Sequence, residues 1–246
     1  WQHDYDTCRA LLYDYMEKVV RRYAGVVGMW SLAAGLNVNE SFPFSVAQQI
    51  ELIRTANLLV RQFRKGARTM VEIRQPFGEY CADDLDALPP VRFVERLIHD
   101  GIRIDALGVP LLFGERNHGR SARDLMQISA MLDKFVYVDL PLLISSLGVP
   151  SEQDDAGGGW WHNRHNEEIQ SRWMSRTFSI ALSKPFVESI FCADLHDHEN
   201  AELQAAGLIN RDGKPKPAFE RIVGMRRRLR KPLGPLRNVR TASRVG

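Results

Sequence analysis

Cysteine is scarce in this chain: 246 residues hold three, Cys8, Cys81 and Cys192. Their separations fit neither a zinc spacing nor a disulfide framework, so ordinary buried or reduced thiols are expected, with no metal and no cofactor. No run of eighteen apolar residues occurs, which leaves no membrane-spanning helix to assign. Acidic residues are absent from 226–246, where eight Lys or Arg fall: Arg226, Arg227, Arg228, Arg230, Lys231, Arg237, Arg240 and Arg244. The net charge of +3 therefore conceals a body with 25 basic and 30 acidic residues, and that body offers nucleic acid no electrostatic footprint. The tail reads as solvated and disordered, with an anionic partner as the alternative. Nothing in the chain fixes a compartment.

What is present is enough apolar material, 44% of residues, for one large α/β domain with its own core. Helical and strand-like segments alternate throughout, the pattern of a parallel sheet. Residues 4–22 read as a helix with Cys8, Leu11, Leu12, Tyr15 and Val19 on its inner face. Ser45 and Gln48 form a capping box for a helix reaching about Arg64, and Ser121 is the expected cap of another. Further helices are predicted at 91–100, 166–182 and 218–229. Strands are predicted at 26–32, 69–73, 104–109, 136–145 and 186–192. Pro141 donates no ladder hydrogen bond, so the fourth strand is expected to be two pieces or to begin late. Five strands are too few to close a βα barrel, which leaves an open sheet or part of a barrel.

Four stretches choose between these. Arg22-Tyr-Ala-Gly-Val-Val27 leads into Trp30-Ser-Leu-Ala-Ala-Gly-Leu36, then come Ile104-Asp-Ala-Leu-Gly108, Ile144-Ser-Ser-Leu-Gly-Val-Pro-Ser151, and Gly207-Leu-Ile-Asn-Arg-Asp-Gly-Lys-Pro-Lys-Pro-Ala-Phe219. In that order they resemble the fourth, sixth, seventh and eighth strand regions of glycoside hydrolase family 10, the xylanase family, over residues 15–225. The resemblance implies an incomplete (β/α)8 TIM-type barrel, strands four to eight, over residues 1–225, followed by the basic tail at 226–246. The amino-terminal part of the barrel would then lie before Trp1 or have been lost.

The resemblance also implies where chemistry should be, and the residues there cannot perform it. The family's two catalytic glutamates map to Gly35 and Ser146, and retaining hydrolysis needs two carboxyl groups. Its asparagine before the acid maps to Ala34, its Gln-Ser-His to Pro110-Leu111-Leu112, and its eighth-strand tryptophan to Cys192 or Ala193. No catalytic residue is therefore expected at the family positions. Glu40 and Glu152 lie five and six residues beyond the empty positions, distant unless the loops fold back. Glu79 and Asp194 are better placed as substitutes. Asp197 follows the eighth strand and suits a structural or substrate hydrogen bond. Trp160 and Trp161, after three glycines, with Phe77, Tyr80 and Phe113, are candidate contacts for a sugar. The cluster Asp194-Leu-His196-Asp197-His198-Glu199 carries metal-binding atoms, and His196 and His198 can share one side of an extended chain, but nothing elsewhere supplies a third ligand at a recognisable interval. No Gly-x-Ser-x-Gly elbow surrounds Ser145 or Ser146, which argues against a triad with His196 and Asp194.

Three functions follow from this reading. One is a catalytically silent relative of xylan-degrading enzymes with a carbohydrate-binding or structural role. The others are a hydrolase of xylan-type polysaccharide using relocated carboxylates, and a non-catalytic interaction module that binds through its tail.

Overall fold

A computed structural model describes residues 4–40, 42, 44–115, 118–152 and 164–230. Six helices and five strands alternate: α1 (Tyr5–Tyr23), β1 (Met29–Ala34), α2 (Val46–Phe63), β2 (Arg68–Glu72), α3 (Pro90–His99), β3 (Ala106–Leu112), α4 (Leu125–Lys134), β4 (Leu142–Gly148), α5 (Glu167–Leu182), β5 (Val187–Cys192) and α6 (Pro217–Leu229). All neighbouring strands pair in parallel, in the sequential order β1-β2-β3-β4-β5. A doubly wound sheet reverses its strand order at a switch point; this one never does. One core joins the sheet to its helices: Val71, Val109 and Ile144 meet Ile53 of α2, Phe93 of α3, Ile128 of α4 and Trp173 of α5.

The sheet also curls. Arg68 at the start of β2 makes two 2.7 Å hydrogen bonds to Glu188 of β5. Along a flat sheet those strands would stand three spacings, about 14 Å, apart. At the other end, Glu202 after β5 reaches Arg74 after β2 at 3.3 Å and Arg120 after β3 at 2.6 Å. Ion pairs thus span the hollow of the arc above and below.

Local chemistry explains most boundaries. Ser45 and Gln48 complete the capping box of α2, and Asn166 caps α5 through the Ile169 amide. For α4 the cap is Asp124, reciprocated by Gln127, and not Ser121: the helix starts four residues later than that serine. β4 begins after Pro141, and residues Phe135–Val138 form a 3-10 turn instead of strand. β3 runs through Pro110, which sits where the register with β4 shifts, so its missing N–H breaks no regular ladder. α6 extends to Leu229, so Arg226, Arg227 and Arg228 lie in a helical last turn and not in a disordered tail; residues 231–246 lie outside the described residues.

In α1 the buried residues are Met16 and Val20, while Leu11 and Tyr15 are 54% and 63% exposed. Of the expected inner face, Leu12 and Val19 do pack against the core, and α1 packs on α2. Among the described residues no helix is long and apolar enough to cross a membrane.

Candidate functional site

β1 ends where Gly35 turns the chain. Its φ is +76°, and a Cβ there would lie 2.7 Å from Cδ of Arg74. Any L side chain would be strained at this position and would collide with the arginine. The space opposite Gly35 is thus taken by Arg74, itself bound to Glu72 at 3.3 Å.

Beyond Gly35 the loop does fold back. The Val38 and Asn39 amides donate to the Gly35 carbonyl at 3.0 and 3.3 Å, and buried Asn37 clamps the Arg74 backbone with hydrogen bonds of 2.8 and 3.1 Å. Asn39, at φ +59°, donates to the Phe44 carbonyl at 2.8 Å. Glu40 is thereby returned to the strand ends. Its carboxylate accepts a 3.0 Å hydrogen bond from the Gln75 amide and lies 3.1 Å from Nδ1 of His118. Gln75 and His118 also hold left-handed backbones, at φ +47° and +57°. Non-glycine residues in this region cost about 1–3 kcal/mol each and concentrate where structure serves a ligand.

These groups surround a cavity of about 690 Å³ at the carboxyl ends of β1, β2 and β3. Its lining includes the charged and polar residues Glu40, His118, Arg74, Arg120 and Glu202 and the apolar residues Leu12, Leu36, Leu52 and Phe44. Arg120 is largely buried and holds Glu115 at 2.8 Å as well as Glu202. Cys8, Leu11 and Leu12 of α1 line the cavity, and Leu12 also packs against the core.

The residues singled out from sequence are distributed differently. Gly35 lines the cavity, whereas Ser146 sits half-buried in β4 beside Pro110 and does not. Glu79 is paired with Arg123, whose guanidinium also stacks 5.0 Å over Phe77. Tyr80 is buried and donates a 2.6 Å hydrogen bond to the Leu88 carbonyl; burial raises its phenol well above the usual range, so it remains a neutral donor. Phe113 is buried edge-on to Trp173 at 4.3 Å. Asp194 lies 3.0 Å from His198. None of these lines the cavity. Trp160 and Trp161 lie outside the described residues.

Asp197 is held within the fold. Its carboxylate is 2.7 Å from Nζ of Lys216, both side chains nearly sealed from solvent, and its second oxygen accepts the Gly207 amide at 2.9 Å. A Cβ on Gly207 would fall 2.5 Å from the Asp197 backbone nitrogen, which explains glycine there. Lys216 completes the knot with Ser151 at 2.9 Å and the Ala205 carbonyl at 3.2 Å. The Gly-Leu and Lys-Pro-Ala motif thus fastens the β4 and β5 loops to the start of α6. Asp105 does similar work at the opposite end, accepting the Thr69 amide at 2.8 Å, the Thr69 hydroxyl at 3.0 Å and Arg61 at 3.0 Å. Burial alone would raise its pKa, but the Thr69 and Arg61 hydrogen bonds outweigh that and hold it below the usual carboxylate range.

A singly wound, curling run of five parallel βα units, with polar side chains gathered at the strand carboxyl ends, defines an incomplete (β/α)8 barrel. Solved structures of family 10 xylanases are among those it resembles. Xylanase 10B from Thermotoga maritima superposes with a TM-score of 0.66 at 15% identity, over 93% of this chain and 69% of that one. A family 10 protein from Paenibacillus barcinonensis gives 0.64 at 16% identity, over 92% and 69%. Xylanase 10B from Thermotoga petrophila RKU-1, solved in complex with xylobiose, gives 0.62 at 16%, over 88% and 65%. The chain has the family 10 xylanase fold over about two thirds of those proteins' length. No family model matches the sequence, and no curated protein does.

Proposed function

We propose that this domain binds carbohydrate at the carboxyl ends of its strands without hydrolysing it. The observation that carries the reading is position 35: a left-handed glycine overlaid by Arg74, where the family resemblance calls for a carboxylic acid. The second family position, Ser146, has no ionisable side chain, and retaining hydrolysis uses two carboxyl groups about 5 to 5.5 Å apart. The polar residues lining the cavity supply both hydrogen-bond donors and acceptors, which is what sugar hydroxyls require. One solved neighbour holds xylobiose, and a xylan-type oligosaccharide is the first ligand to try. Calorimetric titration with xylobiose is expected to register binding, and prolonged incubation to release no xylose. Absence of binding to any xylan-type oligosaccharide would remove the reading. Trp161, proposed as a stacking platform, is expected to weaken binding when changed to Ala.

A second reading has one observation in its favour: Glu40 and Glu202 line the same cavity as Gly35. Hydrolysis by relocated carboxylates would then run through these rather than Glu79 and Asp194, which sit outside it. Both are committed to partners, Glu40 to His118 and Gln75, Glu202 to Arg74 and Arg120. Turnover of an aryl xyloside that disappears in Glu40→Gln would establish this alternative.

A further inference from the structure

We propose that the carboxyl-terminal end of α6 docks the phosphate backbone of a nucleic-acid duplex, a function separate from the cavity at the strand ends. Arg226, Arg227, Arg228 and Arg230 take four of five consecutive positions there, and all four are exposed. None of them forms an ion pair with an acid among the described residues, whereas Arg221, earlier in the same helix, is paired with Glu168 at 3.2 Å. Arg228 donates only to the Gly224 carbonyl of its own helix, at 3.4 Å. A cation or two at a helix carboxyl end is ordinary, because the macrodipole is negative there. Four exceed that need: Arg226 and Arg230 stand at i and i+4, where like charges weaken a helix. The neighbouring helix does not balance them. α5, packed along α6, holds no acid after Glu168 and adds exposed Arg172. Beyond Glu220 the sequence has no acid at all, and Lys231, Arg237, Arg240 and Arg244 follow.

The residue types select the partner. Seven of the eight basic residues in 226–246 are Arg, whose planar guanidinium grips phosphate oxygens through two parallel hydrogen bonds. No Phe, Tyr or Trp occurs after Phe219. Unpaired bases therefore find no stacking platform, which single-strand binding relies on. A lipid interface finds no apolar face either: among the described residues of α6, Leu229 is the one large apolar side chain exposed. A duplex asks only for cations, since it presents one negative charge per roughly 1.7 Å of its axis. The rest of the chain, with 25 basic and 30 acidic residues, repels phosphate and confines contact to this end. Lys216 fastens the start of α6 to Ser151 and Asp197 at the strand carboxyl ends. Arg226 to Arg230 lie about 14 to 20 Å farther along the helix, so the duplex surface and the cavity do not overlap.

The test follows binding of the intact chain to a fluorescein-labelled DNA duplex of about 20 base pairs by anisotropy, from about 50 to 200 mM KCl. Four neutralised phosphates contribute about −3.6 to the slope of log affinity against log salt, a roughly 150-fold loss over that range. Changing Arg226→Gln, Arg227→Gln, Arg228→Gln and Arg230→Gln together is expected to remove that part of the slope and to weaken binding at least about tenfold at the lowest salt. Glutamine is a good helix former, and a thermal melt matching that of the parent chain shows α6 intact. Changing the same four to Lys should keep the slope, because the charge stays, and so separates lost charge from lost fold. Absence of duplex binding at the lowest salt, an affinity that salt does not change, or a slope that the glutamine variant retains overturns the proposal. So does binding of a single strand of equal length as tightly as the duplex, or of phosphatidylserine vesicles with no binding of the duplex.

Discussion

Lys216 and Asp197 form the most deeply buried ion pair among the described residues, with side chains 2% and 7% exposed at 2.7 Å. Removing the lysine leaves a buried carboxylate without its cation. Lys216→Met is expected to cost about 3–5 kcal/mol in a urea melt. Replacing the pair together, Lys216→Met with Asp197→Leu, should cost less than the single change. Asp105 gives a pH signature. Its folded pKa is depressed, so its contribution is complete above the unfolded value of about 3.9 and is lost as pH falls through the folded value. Chemical melts between pH 6 and 3 should show that loss, and Asp105→Asn should flatten the dependence. At position 35, Gly35→Glu is expected to destabilise by about 1–3 kcal/mol and to restore no hydrolysis, because the backbone is left-handed and Arg74 fills the space.

At the scale of elements, caps decide where helices begin. Asp124→Ala should cost about 1 kcal/mol and Ser121→Ala almost nothing, measured by thermal melts. From sequence Ser121 alone is the expected cap. Gln127, three residues after Asp124, was the discriminating signal, because it completes the reciprocal pair. The strands and helices themselves were legible from periodicity, and the late start of β4 from Pro141. The orientation of α1 was legible in part: Leu12 and Val19 meet the core as expected, while Cys8 and Leu11 line a cavity, since periodicity records an apolar surface but not what lies opposite. The loop after β1 hid its fold-back in turn chemistry. Gly35, Asn37 and Asn39 are residues that favour left-handed or side-chain-clamped turns, and that composition signalled a reversal able to return Glu40 to the strand end. No sequence signal placed His118, Arg120 or Glu202 beside it, because they converge from separate loops only when the sheet curls.

Curling is a property of the whole molecule. Arg68 and Glu188 tie β2 to β5 across the lower end of the arc, and Glu202 ties three loops across the upper. The Arg68 hydrogen bonds hold Glu188 below its usual pKa, so their small contribution is present above about pH 4 and fades below it. Both side chains are over 40% exposed, which limits the pair to about 0–1 kcal/mol. Two of the four motifs that resemble family 10 fasten this frame: Ile104-Asp105 locks the start of β3, and Gly207 with Lys216 locks the loops beyond β4 and β5. The locking residues and the family's catalytic positions are different side chains, so the frame is set independently of the chemistry.

Saturation-transfer NMR on xylotetraose mixed with the intact chain tests binding and turnover in one sample. Transfer from protein to sugar, with the reducing-end anomeric signals unchanged over a day, is the predicted result. Growth of new reducing-end signals, abolished by Glu40→Gln, would contradict it.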